Sequence, residues 1–139
     1  MLGLHLLRQT LSNWIVAAAN EFKIVYKIMK EELVKRNYIQ ADETTLKVLE
    51  KSGNESRSKN YMWLYKTGTD IDPIILYEYQ KTCSGSNPKN FLEEFKGFLQ
   101  TDGYQGYNVV LDVYLYYCLA HIRRKFHDII VPLNEEARK

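Results

Sequence analysis

A chain of 139 residues, with 45% hydrophobic and 26% charged residues, has the size and composition of one soluble globular domain. Its net charge is only +2, which excludes a protein that attracts nucleic acid over its whole surface. Any nucleic-acid-binding surface must therefore be a local patch of basic residues.

Cysteine usage and hydropathy exclude further classes of protein. Cys83 and Cys118 are too few and too far apart for a disulfide framework or a zinc site, so we expect reduced thiols. No apolar run approaches the roughly 20 residues that span a bilayer, and no secretion signal is recognisable. We therefore expect a cytoplasmic protein that does not partner a membrane.

Residues 10–36 are predicted to form one long helix, so that residues 1–37 make up an N-terminal helical segment. Either Thr10 or Ser12 is a suitable residue to cap the start of this helix. Apolar residues recur along it at steps of three and four, which indicates an amphipathic stripe. These residues are Leu11, Trp14, Ala18, Phe22, Val25, Ile28 and Leu33.

The remaining residues, 38–139, are predicted to form an α/β domain. Segments of strand character lie at 38–49, 60–66, 74–79, 98–102 and 113–118, with a polar loop at 51–59 and a turn at 67–70. One helix is predicted to start at Asn87, a short one after Gly103, and a last one over 120–130, which Pro132 ends.

This order of elements is typical of a ribonuclease-H-like mixed sheet. Three antiparallel strands come first, and a helix, a strand, a helix, a strand and a helix follow. In that fold the first and fourth strands lie side by side. The sequence therefore predicts that Asp42, on the first strand, lies next to Asp102, on the fourth.

Asp42 and Asp102 are the candidate catalytic residues, because each closes a short apolar run of strand character. Two acids at neighbouring strand ends can point into one cleft. Such a cleft suits Mg²⁺, which prefers carboxylate oxygens and keeps positions open for water and phosphate. An isolated Asp at a strand end is more often a turn former or a helix cap, so the signal lies in the pair.

Four blocks of the sequence, in this order, resemble the bacterial insertion-sequence transposases of the IS66 family. They are residues 42–49, 61–65, 99–108 and 118–126, and residues 8–14 resemble the segment that leads into the family's catalytic domain. The resemblance implies a DDE-type enzyme with a ribonuclease-H-like core that cuts and joins DNA using Mg²⁺ or Mn²⁺. Position by position, it implies that Asp42 is the first catalytic acid and Asp102 the second, both as metal ligands.

The sequence departs from the family in three respects. The family's third acid, a Glu, lies well beyond the block at 118–126, and Glu135 and Glu136 are too close to that block to replace it. The family's upstream zinc-binding and DNA-binding segments are not recognisable, and Leu119 replaces a usual Trp. We therefore expect a transposase fragment that is inactive alone, and an N-terminal helix whose stripe docks elsewhere in an intact protein.

The implied partners are DNA, namely insertion-sequence ends and target DNA, and further subunits in a homo-oligomer or with other transposase chains. Candidate DNA-binding residues form a basic cluster at the start of the last helix: His121, Arg123, Arg124 and Lys125. Arginine makes bidentate bonds to phosphate, which favours contact with the DNA backbone. Two alternatives remain: the cluster is a solvated helix face, or His121 is a core residue bonded to a backbone carbonyl.

Three neighbouring residues have simpler interpretations. Glu43 is expected to face solvent, and Tyr104 and Tyr107 are expected to pack the turn against the sheet rather than stack on a base. Two other functions compete with transposition. One is a non-catalytic remnant that binds DNA or transposase subunits, and the other is a ribonuclease-H-like nuclease that acts on RNA–DNA hybrids.

Overall fold

The computed structural model describes residues 6–48, 59–68 and 72–136, with side chains up to residue 130. The first half contains helix α1 (Arg8–Val34) and strands β1 (Tyr38–Leu46), β2 (Asn60–Thr67) and β3 (Ile75–Gln80). The second half contains helix α2 (Ser86–Phe91), strand β4 (Gly97–Thr101), a 3-10 helix (Gln105–Val109), strand β5 (Val113–Tyr117) and helix α3 (Leu119–Glu136).

The five strands form one mixed sheet in the order β3-β2-β1-β4-β5. β1 pairs antiparallel with β2, and β2 with β3, whereas β1 pairs parallel with β4, and β4 with β5. The order of strands along the chain does not carry over to the sheet, because β4 returns to pair beside β1 and places β1 at the centre. The α/β class is confirmed, and so is the contact between the first and fourth strands.

One face of the sheet carries the hydrophobic core, because side chains alternate between the two faces of a strand. Ile39, Trp63 and Leu99 are fully buried on that face. The end of α1 covers it with Leu33, and α2 covers it with Phe91, whose ring stacks on Tyr65 at 3.7 Å between centroids. Each fully buried large apolar side chain contributes about 1.5–3 kcal/mol to stability.

The opposite face of the sheet carries large side chains that remain exposed. The register places Phe98 beside Tyr114 and Gln100 beside Tyr116. The Phe98 ring contacts those of Tyr114 and Tyr116 at 5.4 and 5.5 Å between centroids, yet each of the three residues is more than two-fifths exposed. The two faces therefore differ, since one is packed and the other is open.

Helix α1 begins at Arg8 and ends at Val34, two residues before the predicted bounds at each end. The predicted capping by Thr10 or Ser12 is wrong, because the residue before the helix is Leu7 and no side chain caps the first turn. Both polar residues lie inside the helix. Of the seven residues in the apolar stripe only Leu33 is buried, so periodicity identified an amphipathic surface without a partner in the described part of the chain.

The last helix does not end before Pro132, as the sequence predicted, but continues to Glu136. A proline removes one backbone donor and crowds the preceding turn, which weakens a helix without always ending it. The short helix predicted after Gly103 is present as the 3-10 helix. The predicted loop at 51–59 lies outside the described residues except for residue 59, and residues 69 and 70 of the predicted turn also lie outside them.

Over the described residues, none of the helices combines the length and the apolar character that crossing a membrane requires.

Candidate functional site

Strand pairing brings the two candidate acids to the same level of the sheet. The parallel register sets Gln40 of β1 beside Gln100 of β4, and Asp42 and Asp102 each follow two residues later. Asp102 comes directly after the last residue of β4, so the strand ends one residue earlier than predicted. Asp42 does not close its strand, because β1 continues to pair with β2 as far as Leu46 after its pairing with β4 has ended.

Both acids line one cavity of about 230 Å³ at the open face of the sheet. The other polar residues that line it are Gln40, Lys66, Gln100, Thr101, Cys118 and His121. A water molecule occupies about 30 Å³ of liquid volume, so the cavity has room for a phosphate group and several waters. The strand order thus produces the shared cleft that the sequence predicted for this pair.

Local hydrogen bonds fix the carboxylate of each acid. Asp102 Oδ1 accepts a bond from the Tyr104 backbone N–H at 2.8 Å, in a turn where Gly103 has a φ of +93°. Asp42 Oδ1 accepts a bond from the Glu43 backbone N–H at 2.9 Å. Glycine adopts this positive φ at little cost, so Gly103 permits the sharp turn directly after the second acid.

The donor set of the cavity fits a hard divalent cation. No group of three or more His, Cys, Asp or Glu side chains that could hold a metal is found within the described ranges. The cavity wall carries two carboxylates together with His121 and Cys118, but structural zinc needs four protein ligands that converge on one point. Mg²⁺ commonly binds through one or two carboxylates together with waters and substrate phosphates. Asp42 and Asp102 therefore suit Mg²⁺ or Mn²⁺ rather than a structural zinc ion.

The basic cluster divides between two surfaces. His121 lines the acid cavity, where its Nε2 lies 4.0 Å from Asp42 Oδ2. Arg123 and Arg124 line a separate depression on α3, and Lys125 is exposed on the same helix. The alternative of a core histidine bonded to a carbonyl is wrong, because Nδ1 of His121 is buried without a hydrogen-bond partner.

Glu43 is half-buried, which contradicts the prediction that it faces solvent. Its Oε2 accepts a hydrogen bond from the hydroxyl of the fully buried Tyr107 at 2.8 Å. Desolvation raises the pKa of Glu43 to about 7, and the charges of Asp102 and Asp42 add to the rise while the Tyr107 bond opposes it. Alternation along β1 carried this signal, since Ile39 and Ala41 fall on the same buried face.

The two tyrosines after Asp102 pack the turn, as predicted. The Tyr107 ring meets Trp63 edge to face at 5.6 Å between centroids, and the Tyr104 hydroxyl donates to the Cys83 carbonyl oxygen at 2.6 Å. Sequence reasoning missed Lys66, which lies on β2 opposite Gln40 and reaches the acid cavity. The available signal was that Lys66 lies two residues after Leu64, the cross-strand partner of Asp42, and therefore on the same face of β2.

Comparison with known proteins gives a family and three relatives. The sequence profile described as "Transposase IS66 family" matches residues 1–139. Uncharacterized protein y4qI of Sinorhizobium fredii (strain NBRC 101917 / NGR234) is 26% identical over 142 residues, which cover 91% of this chain and 26% of that protein. Uncharacterized protein y4jD of the same strain is 27% identical over 142 residues, covering 92% of this chain and 28% of that protein.

A third relative from the same strain, uncharacterized protein y4hP, is 22% identical over 150 residues, which cover 99% of this chain and 27% of that protein. The chain therefore spans about a quarter of the length of these curated relatives. No solved structure matches the chain.

Proposed function

The chain belongs to the IS66 transposase family, and we propose that it supplies two acids of a metal-dependent centre for cutting and joining DNA. The observation that carries this proposal is the parallel register of β1 and β4, which leads Asp42 and Asp102 into one cavity. The proposal divides the chain into a leading segment, 1–37, and part of a ribonuclease-H-like catalytic domain, 38–139. A mixed sheet in which β1 is antiparallel to β2 and parallel to β4 supports that fold.

Asp42 and Asp102 are the residues that would hold Mg²⁺ or Mn²⁺. Such a cation, when bound, polarises a phosphoryl oxygen and lowers the pKa of bound water. The protein's own part is to present both carboxylates from the sheet, whose packed core keeps solvent away from the site on that side. Rigid presentation matters because displacements of about 1 Å in a catalytic site reduce rates about a hundredfold.

Cations around the acid pair would bind the DNA strand. Lys66 lines the same cavity, and its ammonium group can neutralise a phosphate beside the acids. Arg123 and Arg124 line a separate depression on α3, where each guanidinium group can form bidentate bonds to phosphate. The partners in this proposal are insertion-sequence ends, target DNA and other transposase subunits, in the cytoplasm.

Thermal melting with and without manganese tests the acid pair. A cation that binds only the folded state at ten times its Kd stabilises by about 1.4 kcal/mol. Mn²⁺ is expected to raise the Tm of the native chain over its value in EDTA, and Asp42→Asn and Asp102→Asn should each lose most of that rise.

Asp112→Asn is the matched control for these melts. Asp112 is exposed outside the cavity and has a φ of 58°, a conformation that Asn adopts readily. This variant should keep the full effect of Mn²⁺. If Mn²⁺ raised the Tm of all four proteins equally, or of none, the shared metal centre would have to be abandoned.

A further inference from the structure

One hydrogen bond joins the two chain segments that carry the acids. The Tyr107 hydroxyl donates to Glu43 Oε2 at 2.8 Å. Glu43 directly follows Asp42, and Tyr107 lies in the 3-10 helix that follows Asp102. The parallel ladder between β1 and β4 ends two residues before the acids, so this bond connects the two segments beyond the end of the ladder.

The hydroxyl of Tyr107 has a fixed position because its ring is held on two sides. The ring is fully buried, meets Trp63 edge to face at 5.6 Å and meets Tyr104 at 6.2 Å with an interplanar angle of 83°. Trp63 is also the cross-strand partner of Glu43. The donor and the acceptor are therefore both positioned by the same buried tryptophan.

A second set of contacts connects Tyr107 to Asp102. The backbone N–H of Tyr104 donates to Asp102 Oδ1, and the backbone N–H of Tyr107 donates to the Tyr104 carbonyl oxygen at 3.3 Å. A continuous path of short contacts thus runs from the second acid through both tyrosines to Glu43, beside the first acid. A shift of the 3-10 helix would move Asp102 relative to Asp42.

We propose that Tyr107 and Glu43 are positioning residues for the acid pair, and that their hydrogen bond sets the placement of Asp42 relative to Asp102. This inference rests on the proposed function, because it assigns the placement to metal binding. Neither residue lines the acid cavity, so each acts through the backbone that carries an acid. Catalytic groups need such support, since their geometry must hold within about 0.5 Å.

A set of variants isolates the hydrogen bond. Tyr107→Phe removes the hydroxyl and keeps the buried ring, Glu43→Gln keeps an acceptor oxygen, and Glu43→Ala removes the acceptor. The Mn²⁺ Kd is measured by electron paramagnetic resonance of the free ion. Tyr107→Phe is expected to raise the Kd about tenfold, which is the size expected for the loss of one hydrogen bond.

In the Glu43→Gln background, Tyr107→Phe should also raise the Mn²⁺ Kd about tenfold relative to Glu43→Gln alone. In the Glu43→Ala background it should leave the Kd unchanged. A purely structural role for Tyr107 would give an effect that does not depend on residue 43. Equal effects of Tyr107→Phe in all three backgrounds, or no effect in any, would overturn the inference.

Hydrogen exchange in metal-free protein separates this inference from the proposed function. The Tyr104 amide, which donates to Asp102, should exchange about tenfold faster in Tyr107→Phe and at the native rate in Glu43→Gln. The Thr67 amide, which donates to the Ile74 carbonyl oxygen, serves as the control. Unchanged exchange at Tyr104 would overturn the positioning role. If Asp102→Asn left the Mn²⁺ Kd at the value of the native chain, the metal centre itself would be refuted instead.

Discussion

Replacing Glu43 by Gln is expected to stabilise the protein at pH 8 and to leave its stability nearly unchanged at pH 4. Desolvation raises the pKa of Glu43 from 4.5 to about 7, and the charges of Asp102 and Asp42 add to this rise. The folded state therefore holds this proton more tightly than the unfolded chain does. The resulting contribution to stability is complete below pH 4.5 and is lost as the pH rises through about 7.

The magnitude follows from the pKa and the exposure of the side chain. A rise from 4.5 to about 7 corresponds to roughly 3 kcal/mol at full burial. Glu43 is only half-buried, so screening by solvent reduces the expected cost of its charge at pH 8 to about 1–2 kcal/mol. Glutamine has nearly the same shape, offers an oxygen to the Tyr107 hydroxyl and carries no charge, so it avoids this cost.

Urea unfolding at pH 4 and pH 8, monitored by the fluorescence of buried Trp63, measures the difference in unfolding free energy between Glu43→Gln and the native chain. Comparison with the native chain at each pH cancels every other titration, provided that the m-values agree. Glu94→Gln, at an exposed carboxylate, is the matched control and should show only a small difference at either pH. An equal gain for Glu43→Gln at both values of pH, or a loss at pH 8, would refute the reasoning from desolvation.

Three further predictions concern DNA, activity and the turn after the second acid. Replacing Arg123 and Arg124 by Ala should flatten the plot of log affinity for duplex DNA against log salt by roughly 0.9 per lost phosphate contact, whereas Lys89→Ala on α2 should not change the slope. A gel assay with insertion-sequence ends should show no Mg²⁺- or Mn²⁺-dependent cleavage by this chain, because the described residues place two acids in the cavity and a DDE-type centre uses three. Nicking that Asp102→Asn abolished would contradict this. Gly103→Ala should lower stability by about 1–3 kcal/mol in thermal melts, because its φ of +93° strains a residue with a Cβ; an unchanged Tm would contradict this.

The sequence predicted the strands well, because their side chains alternate and turn residues bound them. Ile39, Ala41 and Leu99 follow that pattern and lie in the core. The order of elements was sufficient to place Asp42 and Asp102 in one cavity, since it set β1 directly beside β4. Local patterns thus sufficed for the strands themselves, and the order of elements sufficed for the pairing of β1 with β4.

The features that the sequence did not reveal depend on contacts between distant residues. Glu43 was expected to face solvent, but its partner Tyr107 lies 64 residues away along the chain and binds it on the buried face. Lys66 joins the acid cavity only through the register of β2 against β1. The stripe on α1 shows the limit of periodicity, which identifies an apolar surface and does not identify what covers it.

The arrangement of β1 explains how one strand can serve both the core and the site. Asp42 and Glu43 are consecutive, so their side chains leave the strand on opposite faces. Asp42 enters the cavity with Asp102, while Glu43 turns to the packed face and meets Tyr107. Contacts on the packed face of the sheet, above all the bond between Tyr107 and Glu43, therefore set the positions of Asp42 and Asp102 on the open face. Core substitutions near Trp63 are then expected to change metal affinity, although Trp63 does not line the cavity.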